Sequence, residues 1–136
     1  MATPTITGTL TITALTITDM DMPTNNPSVL PRRFLRQLLF LGLSQAERSY
    51  GYELAEAVRS YGLNIDMAGV YRELRSMEQK DLLSSEWEPS DNGPDRRVYM
   101  VTPLGRDALA QAVTDLRLAR DQLSAALEDV VVENTA

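Results

Sequence analysis

Residues 66–100, DMAGVYRELRSMEQKDLLSSEWEPSDNGPDRRVYM, constrain the fold of this chain more than any other stretch. Val70, Leu74 and Met77 recur at the 3–4 spacing of an amphipathic helix with one buried face. The other face offers Gly69, Tyr71, Arg72, Arg75, Ser76 and Gln79, which are mostly small, polar or cationic. Residues 82–88 read as a strand with Leu83, Ser85 and Trp87 on one side of the pleat. On the return strand, Val98 and Met100 lie opposite Tyr99 and Val101. Pro89, Ser90, Asp91, Asn92, Gly93 and Pro94 supply turn chemistry between the strands and lead into Arg96 and Arg97. A helix followed at once by a basic hairpin is the order of elements by which a winged helix-turn-helix meets a duplex. The helix enters the major groove, and the hairpin tip reaches the backbone or the minor groove.

The preceding residues complete that motif. Pro31 fits the first turn of a helix reaching about Ser44, because its missing N–H costs nothing there. Phe34, Leu35, Leu38, Leu39, Leu41 and Leu43 make this helix apolar on most sides, which marks it as the buried one. A shorter helix over residues 51–61 turns Leu54, Ala55 and Val58 inward and stops at Gly62. Asn64 or Asp66 then caps the arginine-bearing helix. Two short helices joined by a tight glycine-containing turn form a helix-turn-helix. The fold class expected is mainly α with a small β-hairpin (α+β), a winged helix-turn-helix carrying a long C-terminal helix. Residues 1–30 form a Thr-rich arm and linker, 31–102 the winged helix, and 103–136 a dimerisation helix and tail. In the arm, Thr alternates with Ile and Leu, a pattern open to two readings: a loose terminus, or an edge strand that pairs with a partner subunit.

The last helix starts at Thr102 and Pro103, cap then first-turn proline, and runs to about Val131. Leu109, Leu116 and Leu123 repeat every seven residues, with Ala112 and Ala119 three positions on. Leu127 continues the stripe. Small residues at alternate seam positions let two helices approach closely, so this helix is expected to build a homodimer.

Charge has to be placed before it is interpreted. The net charge is −6. Residues 1–30, 31–106 and 107–136 contribute −2, 0 and −4 in turn, so the acidity lies mainly in the ends. The middle holds the arginines in clusters at Arg32, Arg33 and Arg36, at Arg72 and Arg75, and at Arg96 and Arg97. A local basic face binds phosphate even on an acidic protein, while acidic tails weaken loose binding. The chain has no Cys and no His, which removes disulfides, thiolate metal sites, the usual general base and the commonest metal ligand. No catalytic residue, metal site or cofactor is expected. No apolar run approaches membrane-spanning length, and a cytoplasmic, nucleoid-associated protein is the default expectation.

Residues 31–109 resemble the PadR family of bacterial transcriptional regulators. The matching pieces are GYEL at residues 51–54, GVYRELRSME at 69–78, DLL at 81–83 and RRVYMVTPLGR at 96–106. The resemblance implies a winged helix-turn-helix, a C-terminal dimerisation helix, a Tyr71 on the recognition helix and a wing closed by Arg96 and Arg97. Asp81 stands where the family usually has Gly, so the turn there must tolerate a left-handed residue. Size and layout also resemble a cyanobacterial circadian regulator of this kind, though no motif singles that branch out.

The residues expected on DNA are Arg32, Arg33, Tyr52, Gly69, Tyr71, Arg72, Arg75, Ser76, Asn92, Gly93, Arg96 and Arg97. Several admit a plainer reading. Arg72 and Arg75 can be solvated charges paired with Glu73 or Glu78. Tyr71 can pack beside Val70, and Tyr52 can belong to the core. Because Arg96 and Arg97 alternate across a strand, one points to DNA and the other to the protein surface or Glu86. Trp87 reads as core or dimer packing. Arg32 and Arg33 at a helix start oppose the helix dipole, which favours a phosphate partner for them. The partners expected are double-stranded DNA and a second copy, with repression by promoter occupancy; whether a small-molecule effector acts is left open by the sequence. The alternative is a winged-helix protein-interaction module without DNA binding.

Overall fold

The structure, a computed structural model, describes residues 29–132. The expectations for the Thr-rich stretch fall outside the described residues. Arg32–Phe34 form a 3-10 turn that leads into α1 (Leu35–Leu43), so the predicted helix is present with a tightened first turn. Leu35, Leu38, Leu39, Phe40 and Leu43 are all buried, which places α1 at the centre of the core. Each such side chain contributes about 1.5–3 kcal/mol by leaving water.

A two-residue strand, β1 (Ser49–Tyr50), follows and was not anticipated. Next come α2 (Gly51–Tyr61) and α3 (Met67–Gln79). Leu54, Ala55 and Val58 of α2 meet Val70, Leu74 and Met77 of α3 in one cluster, as the spacing requires. Gly62 ends α2 at φ 112°, a left-handed value open to glycine. Of the two possible caps for α3, Asp66 is the one used: its carboxylate accepts from the Gly69 N–H at 3.0 Å.

The end of α3 resolves the Asp81 anomaly. Asp81 takes φ 62°. Its N–H donates to the Glu78 carbonyl at 3.0 Å, and the Leu82 N–H donates to the Met77 carbonyl at 2.9 Å. This is a Schellman closure with aspartate in the glycine position, at a strain of roughly 1 kcal/mol.

β2 (Leu83–Glu88) and β3 (Arg96–Val101) form the hairpin, antiparallel from Leu83 opposite Val101 to Glu88 opposite Arg96. β1 pairs on the far side of β3, so the sheet order is β1-β3-β2. The central strand is accordingly the best covered, with Val98 and Tyr99 buried. Trp87 departs from the core reading: it is 61% exposed, on the edge strand β2.

α4 (Pro103–Glu128) begins where Thr102 accepts from the Gly105 N–H at 2.9 Å. Gly105 lies against the Leu82 carbonyl, so close that a Cβ there would sit 1.9 Å from the oxygen. The first three turns of α4 pack onto α1 through Ala108, Leu109 and Ala112. Of the residues expected in the dimer seam, the first two are engaged inside the subunit. Ala112 is buried and Leu109 partly buried within the subunit itself, because the helix first serves its own core. Leu116 and Ala119 are half-buried, while Leu123 and Leu127 are exposed at 64% and 68%.

Candidate nucleic-acid interface

The helical period sorts the side chains of α3 more finely than its two-faced description. With Val70, Leu74 and Met77 turned inward, the fully outward stripe is Ala68, Arg72, Arg75 and Gln79, at spacings of four, three and four. Arg72 and Arg75 are both exposed, and neither pairs with a carboxylate among the described residues. Glu73 is taken instead by Arg36, at 2.5 Å, and Glu78 by Arg97. The solvated-pair reading of these two arginines therefore fails for the partners it named.

Two predicted contact residues turn away from the outward face. Gly69 is buried, and a Cβ there would lie 2.9 Å from Ile65 and 3.0 Å from the Arg32 guanidinium. Ser76 is half-buried and accepts from Arg36 at 3.2 Å. Both lie a further turn of the helix toward α1 and α4. There they share a cleft of about 660 Å³ with Arg32, Arg33 and Arg72.

On the wing side of α3 lies a second cleft of about 440 Å³. Tyr71 and Arg75 form one wall, Tyr50, Gly51 and Tyr52 at the start of α2 another, and Trp87, Arg96 and Arg97 of the hairpin the third. Tyr71 is half-buried, with its ring over Gly51, where a Cβ would come within 2.3 Å of it. Tyr52 is 47% exposed, which excludes the core reading, and it stacks on Tyr50 with centroids 5.8 Å apart.

The hairpin is tied down at two places. Arg48 donates to Glu88 at 3.0 Å, and the Tyr50 hydroxyl donates to the other Glu88 oxygen. The Tyr50 hydroxyl, and secondarily Arg48, hold the Glu88 carboxyl below its ordinary range, while the Glu88 carboxylate raises the Tyr50 phenol. Arg96 is exposed and lies over the Tyr50 ring at 4.4 Å. The wing tip, with Asn92 and Gly93, is exposed. Arg97 takes the inward direction, toward Glu78 and not Glu86: it donates to Ser85 at 2.9 Å and reaches Glu78 at 3.3 Å.

A model of the transcriptional regulator PadR-like family matches residues 40–111, more than half of the 136-residue chain. The chain belongs to this family. The family is one of transcription regulators, not of enzymes. Among solved structures, a PadR family transcription regulator from Clostridium difficile shares 26% identity, covers 69% of this chain and 98% of its own, and gives a TM-score of 0.60. A PadR-like transcriptional regulator from Bacillus cereus shares the fold at 22% identity and TM-score 0.63, over 73% of this chain and 96% of its own. So does a PadR family regulator from Eggerthella lenta, at 23% identity and TM-score 0.57, over 88% and 95%. No curated protein matches the chain. No helix among the described residues is long and apolar enough to cross a membrane, and none of their carboxylates cluster as a metal site.

In this PadR-like regulator, sequence reasoning missed Ala68, which shares the outward stripe with Arg72 and Arg75. The signal was available: once Val70, Leu74 and Met77 define the buried face, the opposite meridian passes through residues 68, 72, 75 and 79.

Proposed function

We propose that this regulator binds double-stranded DNA as a homodimer and represses transcription by occupying a promoter. α3 enters the major groove, and the hairpin tip follows the backbone or the minor groove. The observation that carries this reading is the outward stripe of α3, where Arg72 and Arg75 stand free of carboxylates directly before a wing that ends in exposed Arg96. Phosphate contacts need cations in that position, and the small Ala68 lets the helix approach base edges. Arg32 and Arg33 extend the cationic surface past the other side of α3.

The exposed Leu123 and Leu127 in the distal half of α4, with half-buried Leu116 and Ala119 on the same side of the helix, are the surface through which a second copy docks. Two recognition helices related by that two-fold read half-sites about one helical turn apart, roughly 34–36 Å. An effector that fits one dimer geometry better than another would shift that spacing and release DNA.

The test is a binding titration on a duplex selected by the protein from a random-sequence pool, repeated across salt concentrations. Arg72→Ala and Arg75→Ala should each weaken binding and lower the slope of log affinity against log salt by about one. If neither variant changes affinity or slope, the assignment of α3 is wrong. Absence of any salt-sensitive binding by the wild type would favour the protein-interaction module instead.

A further inference from the structure

We propose that Glu78, Ser85 and Arg97 form a clasp that fixes the wing at one angle to α3, making Arg97 a positioning residue for DNA binding and not a phosphate contact. The proposal rests on the DNA-binding reading above and specifies how its two contacting elements are held in register. The three side chains come from α3, β2 and β3 respectively. The Arg97 Nε donates to the Ser85 hydroxyl at 2.9 Å, the Ser85 hydroxyl donates to Glu78 at 2.6 Å, and an Arg97 terminal nitrogen reaches the same carboxylate at 3.3 and 3.5 Å. The ring of donors and acceptors closes on itself. Its outer side is covered by Trp87, with the guanidinium 5.1 Å from the ring centroid.

This arrangement uses features specific to arginine. A lysine carries one point charge and cannot serve a hydroxyl through one nitrogen and a carboxylate through another while its charge sits over an indole. The clasp also accounts for an otherwise awkward residue. Glu78 lines the wing-side cleft with Arg75 and Arg96, where its negative charge opposes a phosphate backbone. A carboxylate there is explained if its task is to anchor the hairpin. Arg96 lies over the Tyr50 ring and forms no ion pair among the described residues, which leaves it as the outward cation of the two.

The decisive comparison uses the full-length protein and the selected duplex described above. Removing negative charge from a DNA-facing helix should strengthen binding if charge alone matters. The clasp predicts the reverse: Glu78→Gln weakens binding by about fivefold or more, because the wing loses its angle. Arg97→Lys, which keeps the charge, should weaken binding to a similar extent. Ser85→Ala should do the same in smaller measure. In all three the salt slope stays at the wild-type value, whereas Arg75→Ala lowers it by about one.

Trp87 is the chain's one tryptophan, so its fluorescence reads the clasp without DNA. Glu78→Gln should raise the rotational freedom of the indole at unchanged far-ultraviolet dichroism. Wild-type or tighter binding by both Glu78→Gln and Arg97→Lys would overturn the proposal, as would a drop of about one in salt slope for Arg97→Ala. If the wild type binds no duplex at all, the DNA reading falls. The indole measurement then decides the clasp alone, and an unchanged Trp87 in Glu78→Gln overturns it.

Discussion

Replacing Gly51 with alanine tests how the recognition helix is seated, because one methyl group would fill the space now held by Tyr71. The added Cβ would lie 2.3 Å from the Tyr71 Cε1, 2.6 Å from its hydroxyl and 2.7 Å from its Cζ. Carbon atoms in contact need about 3.5 Å or more, so the ring must leave by an ångström or further. A fully buried tyrosine hides about 150–250 Å², and Tyr71 is half-buried, so eviction exposes on the order of 100 Å². At about 25 cal/mol per Å² the loss is at most about 2.5 kcal/mol. Alanine in place of glycine returns up to about 1 kcal/mol of helix propensity, less at a first helical position. The net expectation is a destabilisation of about 1.5 kcal/mol, or roughly 5 °C in Tm.

The assay is thermal melting followed by circular dichroism, paired with the duplex titration. Affinity should fall by about tenfold with no change in salt slope, since a phenol releases no counterion. The Tyr71→Ala background supplies the sharper check. With the ring gone, Gly51→Ala should become neutral or stabilising, a reversal of sign expected only if the two residues share one space. Gly93→Ala is the control: a Cβ there meets nothing within 4 Å, and melting should stay within about 0.5 kcal/mol of wild type. Equal destabilisation by Gly51→Ala in both backgrounds would refute the reasoning.

Three further outcomes follow from the geometry. Asp81→Gly should raise stability by about 0.5–1 kcal/mol in urea unfolding, because it relieves a left-handed aspartate while keeping the Schellman bonds. Tyr50→Phe should lose stability at neutral pH relative to wild type. Glu88 titrates below its unfolded value in the fold, so its contribution is present above that value and is lost as acid carries pH down through the folded one. The gap between the two proteins should accordingly close in acid. The raised Tyr50 phenol contributes below its ordinary value near 10 and loses that contribution as pH climbs through the higher folded one, so the gap should narrow there as well. Leu123→Asp combined with Leu127→Asp should convert a dimer to a folded monomer in sedimentation, and a wild-type profile from that double variant would remove the distal half of α4 from the interface.

What the sequence made legible was whatever a local period or cap encodes. Val70, Leu74 and Met77 defined the inner face of α3 and Asp66 could cap it, whereas the left-handed turn at Asp81 was implied only by the family resemblance. Each of those statements involves residues within a few positions of one another. The features that escaped notice depend on distant partners. β1 is two residues long and exists because β3 offers it a free edge, so no propensity in Ser49 and Tyr50 announces it. The burial of Gly69 follows from Arg32 and Ile65 closing over it. Strand alternation gave Arg96 and Arg97 opposite directions, but which one turned inward depended on Glu78, nineteen residues upstream. A heptad in α4 likewise reads the same along its length, although Ala112 is spent on the subunit's own core and Leu123 is not.

The same long-range pairing explains how an acidic chain keeps a cationic face. A net charge of −6 would repel a duplex if it were spread evenly. Instead, Arg36, Arg48 and Arg97 are matched by Glu73, Glu88 and Glu78 within the winged helix, and two of those carboxylates, Glu73 and Glu78, are thereby neutralised where they border the two clefts. Arg72, Arg75 and Arg96 stay outside these pairings. The pairs thus determine which guanidinium groups remain available as well as how the elements are held. Removing the arginine of a pair near the clefts frees its carboxylate, so the effect on DNA binding should exceed what the half-buried pair is worth to stability, about 1 kcal/mol. Arg36→Ala, which releases Glu73 one position from Arg72, should therefore weaken duplex binding by more than it lowers Tm. Equal shifts, each converted to free energy, would show that the pairs serve the fold alone.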